Sequence, residues 1–477
     1  MADIVLSAGV RQNLLSLQNT AQLMATTQNR LATGKKVNTA LDNPTNFFTS
    51  ASLQTRAGDL SALLDSMSNG IKTLEAADNS LTSITKTLET MQSTLRQARQ
   101  DKSFPTASYA LNLPSSPAGT EKLSLTGGAV GTTPVDVNLT NSTLTTTATT
   151  GPIAAADTGK QFTVSDGTIT TADITLTTGD TVDDIVSKIN AAVQTAGGSI
   201  VAKNDNGHVK LTSSTGATIT VANGTTTGGA TVLGFGTLAY EAKTVDQIVS
   251  EVNANTSLVD KIVASNDSGK LRIQNLSTQP LTVTGVTNGE ATGGASQTSV
   301  GGNDTRTNLA QQFNMQRDQL DKFADDAYFN GVNLLRGDKL KLVFNENGSS
   351  SLDIQARDKD GDPVSINNTY LKIPSLTPAD LDSDASIDDQ LAAVGKALEA
   401  LRSQASNFGS NLSIVQNRQD FTKRMINTLQ TGADNLVLAD SNEEGANLLA
   451  LQTRQQLSTT ALSLSAQADQ AVLRLFG

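Results

Sequence analysis

The chain has 477 residues, a formal net charge of −11, no cysteine, no tryptophan and only 3% aromatics. That length allows two to four domains, while the acidic balance opposes wholesale binding of nucleic acid or anionic lipid, both of which need a basic surface. Without cysteine there is no disulfide, thiolate nucleophile or cysteine-based metal site, and scarce aromatics suit helices packed through small side chains better than a deep ligand pocket.

The start, MADIVLSAGVRQN, carries Asp3 where a secretory leader needs positive charge, so no leader is expected. Val10, Leu14, Leu17, Ala21, Met24 and Leu31 then recur by fours and threes, with Gln28 in the one missed position: a heptad seam. It ends at LATGKK, with Gly34 placed to cap the helix. LDNP announces the next helix, with Asp42 or Asn43 as cap and Pro44 in the first turn. From there Met67, Ile71, Leu74, Ala77, Leu81, Ile84, Leu88, Met91, Leu95 and Ala98 again step by threes and fours.

From about residue 101 to 300 the composition shifts to Thr, Gly, Ser and Ala, and an internal repeat appears. TVDDIVSKIN (181–190) recurs as TVDQIVSEVN (244–253), and IVAKNDNGHVKLTS (200–213) as IVASNDSGKLRIQN (262–275). Each unit reads as a short helix followed by a hairpin turning on Asp-Asn-Gly or Asp-Ser-Gly. The alternation in ADITLTT and ATITVAN supplies flanking strands, giving two α+β modules at about 160–225 and 238–290.

After about residue 303 the helical pattern returns. Ile387, Leu391, Val394, Leu398, Leu401, Ala405, Phe408, Leu412 and Val415 alternate fours and threes behind a capping box at Ser386 and Asp389. A second box, Ser441 to Glu444, opens a last helix of about 50 Å. Its seam is Leu457, Ala461, Leu464, Ala468, Ala471 and Leu475. Stripes at both chain ends put the termini side by side, with the middle looping out. Residues 1–55 carry four basic and two acidic groups and residues 436–477 two basic and four acidic, which favours pairing the two arms. The fold class is therefore mainly α at both ends, as long antiparallel coiled-coil-like helices, with an inserted β-rich α+β region and discontinuous domains.

Candidate chemistry is thin. The single histidine, His208, lies in the turn NDNGHVK, and Lys270 holds the matching place in the second repeat, which reads as an exposed strand start. RDKDGDP spaces Asp358, Asp360 and Asp362 like a calcium loop, but its glycine comes early and Thr369 stands where the twelfth-position Glu belongs, so a polar hairpin turn explains it better. Asp183 and Asp184 open a helix and answer its dipole. No HExxH, GxSxG or Walker A motif appears, nor a GxGxxG in a strand–helix context, so no enzyme activity, cofactor or metal site is expected.

RLATGKKVNTALDNPTNFF (30–48), FADDAYFNGVNLL (323–335), SIVQNRQDF (413–421) and the ending SLSAQADQAVLRLF together resemble the bacterial flagellins, alphaproteobacterial ones in particular. The resemblance implies a secreted filament subunit of the extracellular bacterial flagellum, exported unfolded by type III export, which serves swimming motility by polymerising head-to-tail. Residues 1–44 and 436–477 would form an inner coiled-coil domain, with a subunit seam of Val10, Leu14, Leu17, Met24, Leu31, Leu457, Ala461, Leu464, Ala468, Ala471 and Leu475. Residues 45–100 and 301–435 would form a helical inner tube with a β-hairpin around LKLVFNENGSSSLDIQ. Its helix core would be Leu88, Met91, Leu95, Leu391, Val394, Leu398, Leu401, Phe408 and Leu412. Residues 101–300 would be a surface-exposed variable region.

The implied partners are other copies in a helical homopolymer, an export chaperone, and cap and hook-junction proteins; neither nucleic acid nor membrane insertion is implied. Two departures stand out. The insert precedes FNGxxLL, where the enteric members carry theirs after it. LETMQST (88–94) has Thr90 and Gln92 where the family's receptor-read patch has arginines, which implies weak or no recognition by host Toll-like receptors. The alternatives are a flagellin-like hook–filament junction protein and, from a different class, a secreted adhesin using the β modules.

Overall fold

The computed structural model describes residues 8–148 and 151–476, with the side chains of 469 and 472–476 excepted. Its helices are α1 (Ala8–Thr33), α2 (Pro44–Gln100), α3 (Val182–Ala196), α4 (Gly229–Leu233), α5 (Val245–Ala254), α6 (Asp304–Asp325), α7 (Asp384–Val437) and α8 (Ser441–Phe476). Long helices thus occupy both chain ends, and the strands, apart from one hairpin, lie between residues 106 and 300. The chain divides into two compact units.

The first unit comprises residues up to Ile84, Lys322–Asn367 and from Ala400 onward. Here α1 runs antiparallel to α8, with Asn13 near one end bonded to Ser465 and Arg30 near the other paired with Glu444. Both helical runs break at one level. Gly34, in the left-handed region at φ 67°, ends α1 as expected. Its carbonyl accepts from the Ala439 N–H (2.9 Å), and the Lys36 N–H donates to the Val437 carbonyl (2.7 Å). The orphan groups of two helix ends therefore satisfy each other.

Of the two candidates in LDNP, Asn43 caps α2, accepting from the Asn46 N–H at 3.0 Å. Asp42 instead collects the N–H groups of Asn38 and Thr39 at 2.9 and 2.8 Å. These backbone bonds, from Thr39 first, hold its carboxyl below the ordinary carboxylate value.

The start of α2 packs on the end of α7. The Ser50 hydroxyl donates to the Ala433 carbonyl (3.1 Å), and Ala57 and Leu60 share a small core with Ile426 and Leu429. The hairpin Leu340–Val343/Ser351–Ile354 pairs in the register Leu340↔Ile354 and lays Leu342 on Gly70. A Cβ at Gly70 would stand 2.5 Å from a Leu342 methyl. In FNGVNLL, Phe329 and Val332 exchange backbone bonds of 3.0 Å across a turn with positive φ at Asn330 and Gly331. Asn333 then accepts from the N–H groups of Leu335 and Arg336 and donates to the Ala324 and Asp325 carbonyls, closing the end of α6 and seating Leu334 and Leu335 in the core.

The second unit comprises Thr85–Asp321 and Asn368–Glu399. Its β-rich part has two cores. One gathers Ile185, Ile189 and Val193 of α3 with Phe162, Val164, Ile200, Val209 and Leu211. The other gathers Ile248 and Val252 of α5 with Ile262, Leu271 and Ile273, and also recruits Tyr109, Leu123, Leu125, Val137 and Leu139 from the segment that precedes the first repeat. The modules are nested. Residues 140–242 leave and re-enter between Leu139 and Lys243, whose backbones are bonded at 2.9 Å, and Thr140–Thr145 pairs antiparallel with Ala239–Ala242. The repeat units themselves match closely. Thr181 and Thr244 cap α3 and α5 through capping boxes, and the hairpins turn on Asn206-Gly207 and Ser268-Gly269, all at positive φ.

At the base of this region lies Arg306, fully buried on α6. Nη1 donates to the carbonyls of Leu381 (2.7 Å) and Asp382 (2.9 Å), and Nη2 to the Asp101 carbonyl (3.1 Å) and Asp384 Oδ1 (3.0 Å). The guanidinium also stacks over Phe104. One buried cation thus ties the outgoing leg of the β region to the start of α7, and its charge is answered by Asp384, which Lys102 also bridges at 2.7 Å. The Lys102 hydrogen bond first, and then that from Arg306, hold the Asp384 carboxyl below its ordinary value.

Three local expectations are corrected. The start of α7 is capped by Ser383, whose hydroxyl accepts from the Ser386 N–H at 3.1 Å; the Ser386 hydroxyl turns to the Asp380 carbonyl. The start of α8 is capped by Asp440, which accepts from Asn442 and Glu443 N–H groups, and not by Ser441, because Glu444 is drawn to Arg30 of α1. His208 does open a strand, but it is half-buried, with Nδ1 donating to the Thr146 carbonyl at 2.8 Å. RDKDGDP forms a polar turn in which Asp358 accepts from the N–H groups of Asp360 and Asp362, both at 2.9 Å.

Candidate subunit interface

The α1–α8 pair has two distinct faces. On α1, Val10, Asn13, Leu17, Thr20, Met24 and Thr27 are buried or half-buried and step by threes and fours toward α8. On α8, Glu444, Leu448, Leu451, Gln455, Ser458, Leu462 and Ser465 do the same. These are a and d positions of a heptad, but the d places on α1 hold Asn13, Thr20 and Thr27. Asn13 donates to Ser465 at 3.1 Å, and Thr20 turns its hydroxyl back to the Ser16 carbonyl. The seam within one chain is therefore polar and thin.

Most leucines of the pair lie outside that seam or at its frayed end. Leu14, Leu15, Leu23 and Leu31 of α1 are exposed, as are Leu449 (66%), Leu457 (66%) and Leu464 (61%) of α8. Ala461, Ala468 and Ala471 lie exposed with them. Of the expected seam, Val10 is buried and Leu17 and Met24 half-buried, whereas Leu14, Leu31, Leu457, Ala461, Leu464, Ala468 and Ala471 are exposed. Leu457, Ala461 and Leu464 each precede a residue of the α8 inner face by one position, a rotation of about 100°. The side chain of Leu475 lies outside the described residues. The polar d positions of α1 were missed because a search for apolar recurrence passes over Asn and Thr; the signal available was the unbroken three–four spacing itself.

The expected helix core is deeply placed. Leu88, Met91, Leu95, Val394, Leu398, Leu401 and Phe408 are buried, and Leu391 and Leu412 half-buried. On α7 the buried set Ile387, Val394, Leu401, Phe408, Val415, Thr422 and Leu429 repeats every seven residues. Arg99 grips Asp388 through Nε (2.5 Å) and Nη2 (2.9 Å), and this carboxylate hydrogen bond raises the arginine above its ordinary value. Among the described residues no cluster of metal-ligating side chains occurs, and no helix is long and apolar enough to cross a membrane.

Long helices at both chain ends, a β-rich region between them in sequence, and exposed leucines on the paired arms define a discontinuous multi-domain protein equipped for association. The chain belongs to the bacterial flagellin family. Residues 8–112 match the family model of the bacterial flagellin N-terminal helical region and residues 391–476 that of the C-terminal helical region. Residues 161–215, which contain α3 and its hairpin, match the flagellin hook IN motif.

The chain is similar to flagellin FljK of Caulobacter vibrioides, with 29% identity over 171 residues, 35% of this chain and 59% of that one. Flagellin FljM of the same organism gives the same values. Flagellin A of Rhizobium meliloti is 40% identical over 91 residues, 19% of this chain and 23% of the relative. The match thus spans less than two thirds of the length of these relatives.

Proposed function

We propose that this chain is a structural subunit that polymerises head-to-tail into the bacterial flagellar filament, for swimming motility. The observation that carries this is the set of exposed leucines on the paired arms, Leu449, Leu457 and Leu464 of α8 with Leu14, Leu15 and Leu23 of α1, left uncovered by a polar intrachain seam. Apolar helix faces of this extent require a partner. A second copy supplies one, and a head-to-tail contact that does not close produces a helical filament.

In this reading residues 1–44 and 436–477 form the inner coiled-coil domain, 45–100 and 301–435 the helical tube with its hairpin, and 101–300 the surface-exposed variable region with two modules. The role is structural and not catalytic, and the site of action is the extracellular flagellum. An export chaperone, a cap and hook-junction proteins are the partners proposed besides other copies. Seeded polymerisation of the purified chain tests this: filaments that lengthen with added subunit support it, while growth that stops after one layer favours a hook–filament junction role. A chain that never adds to seeds rejects both.

A further inference from the structure

The two repeat modules close one edge of their sheets in the same way. In the first, Ile200–Asp205 pairs with His208–Ser213 in the register Ala202↔Leu211, Asp205↔His208, and is the outermost strand of its sheet. The two-residue turn makes Asp205 and His208 a hydrogen-bonded pair. By alternation the N–H and C=O of Ala202 point away from the partner strand, toward open edge. Both are taken by one side chain: Asn190 of α3 accepts from the Ala202 N–H (2.8 Å) and donates to its carbonyl (3.0 Å).

In the second module Ile262–Asp267 is again outermost, and Asn253 of α5 accepts from the Ala264 N–H and donates to its carbonyl, both at 2.9 Å. The next outward amide, that of Ile262, goes to the Leu258 carbonyl at 3.1 Å.

A carboxamide offers one donor and one acceptor, as a peptide unit does. Each asparagine therefore occupies the place that a residue of an added strand would take. Without it, these edges would present free backbone groups beside an exposed valine, Val201 or Val263, which is a template for strand pairing. We infer that Asn190 and Asn253 are edge-blocking residues: they prevent the outermost strands of the two modules from pairing with the same edge on a second copy of this chain. Association between copies is thereby kept away from the β modules.

The test uses the full chain carrying Asn190→Ala and Asn253→Ala, sedimented below its melting temperature at a concentration where the unmodified protein is a monomer. The expected result is a shift to dimers and larger species, with gain of an intermolecular β band in the infrared. Adding Val201→Lys and Val263→Lys, which places a charge on the exposed side of each edge strand and leaves the buried Ala202 and Ala264 in place, should return the protein to monomer. If the double variant fails to melt cooperatively, the single variants are judged by the same criterion. Sedimentation of the asparagine variant as a monomer, or association that the lysines leave unchanged, overturns the inference and reduces the asparagines to ties between helix and strand.

Discussion

Leu464→Asp separates the fold of one chain from assembly between chains. Leu464 is 61% exposed, so within one chain the substitution is a surface change, worth about ±0.5 kcal/mol. Packing against a neighbour would bury the remaining side-chain surface for roughly 1–2 kcal/mol. The aspartate forfeits that and brings an unpaired carboxylate into an apolar contact, for a further several kcal/mol. A combined loss on the order of 4 kcal/mol raises the concentration needed for polymerisation about 1,000-fold. The assay is sedimentation of seeded polymer across a subunit dilution series, with thermal melting of the monomer alongside. An unchanged melt with polymerisation abolished at ordinary concentrations is the expected pair of results. Polymerisation at the unmodified threshold would refute the reasoning, since Leu464 would then face solvent in the assembled state as well.

Three further outcomes follow from particular contacts. Gly70→Val drives two methyls into Leu342, whose side chain lies as close as 2.5 Å to a Cβ at that position; it should cost about 1–3 kcal/mol in thermal stability, and Leu342→Ala in that background should recover part of it. The Asp384 carboxyl is lowered by Lys102 and Arg306, so its contribution is present above its ordinary value of 3.8 and is lost as the pH falls through the lowered one. Hydrogen-exchange protection near Arg306, taken relative to the intrinsic rate at each pH, should fall over that acid window, and Asp384→Asn should flatten the dependence. In Toll-like receptor reporter cells, purified monomer should give little response, because Thr90 and Gln92 supply no cationic side chains; a strong response would contradict this.

The long helices were legible because their buried residues are apolar and evenly spaced: on α7 only Thr422 interrupts an otherwise apolar seven-residue recurrence from Ile387 to Leu429. The repeat modules were legible because their turn and cap residues are local chemistry, down to Thr181 and Thr244. The nesting was not, since the Leu139–Lys243 closure joins residues that no local pattern connects. The same limit hid the Arg306 cluster, which draws on Asp101 and on the distant segment that carries Asp382 and Asp384. On the arms, apolar recurrence picked out Leu457, Ala461 and Leu464, whereas the pairing within one chain uses Gln455, Ser458 and Leu462. Polar residues at heptad positions carry no hydrophobic signal, and only the packed pair shows which face is spent.

Electron cryomicroscopy of polymerised protein addresses the central claim most directly. The expected result is a helical filament in which Leu449, Leu457 and Leu464 of each copy are buried against α1 or α8 of its neighbours. Filaments that leave those three leucines in solvent, or protein that stays monomeric at high concentration even with seeds present, would contradict it.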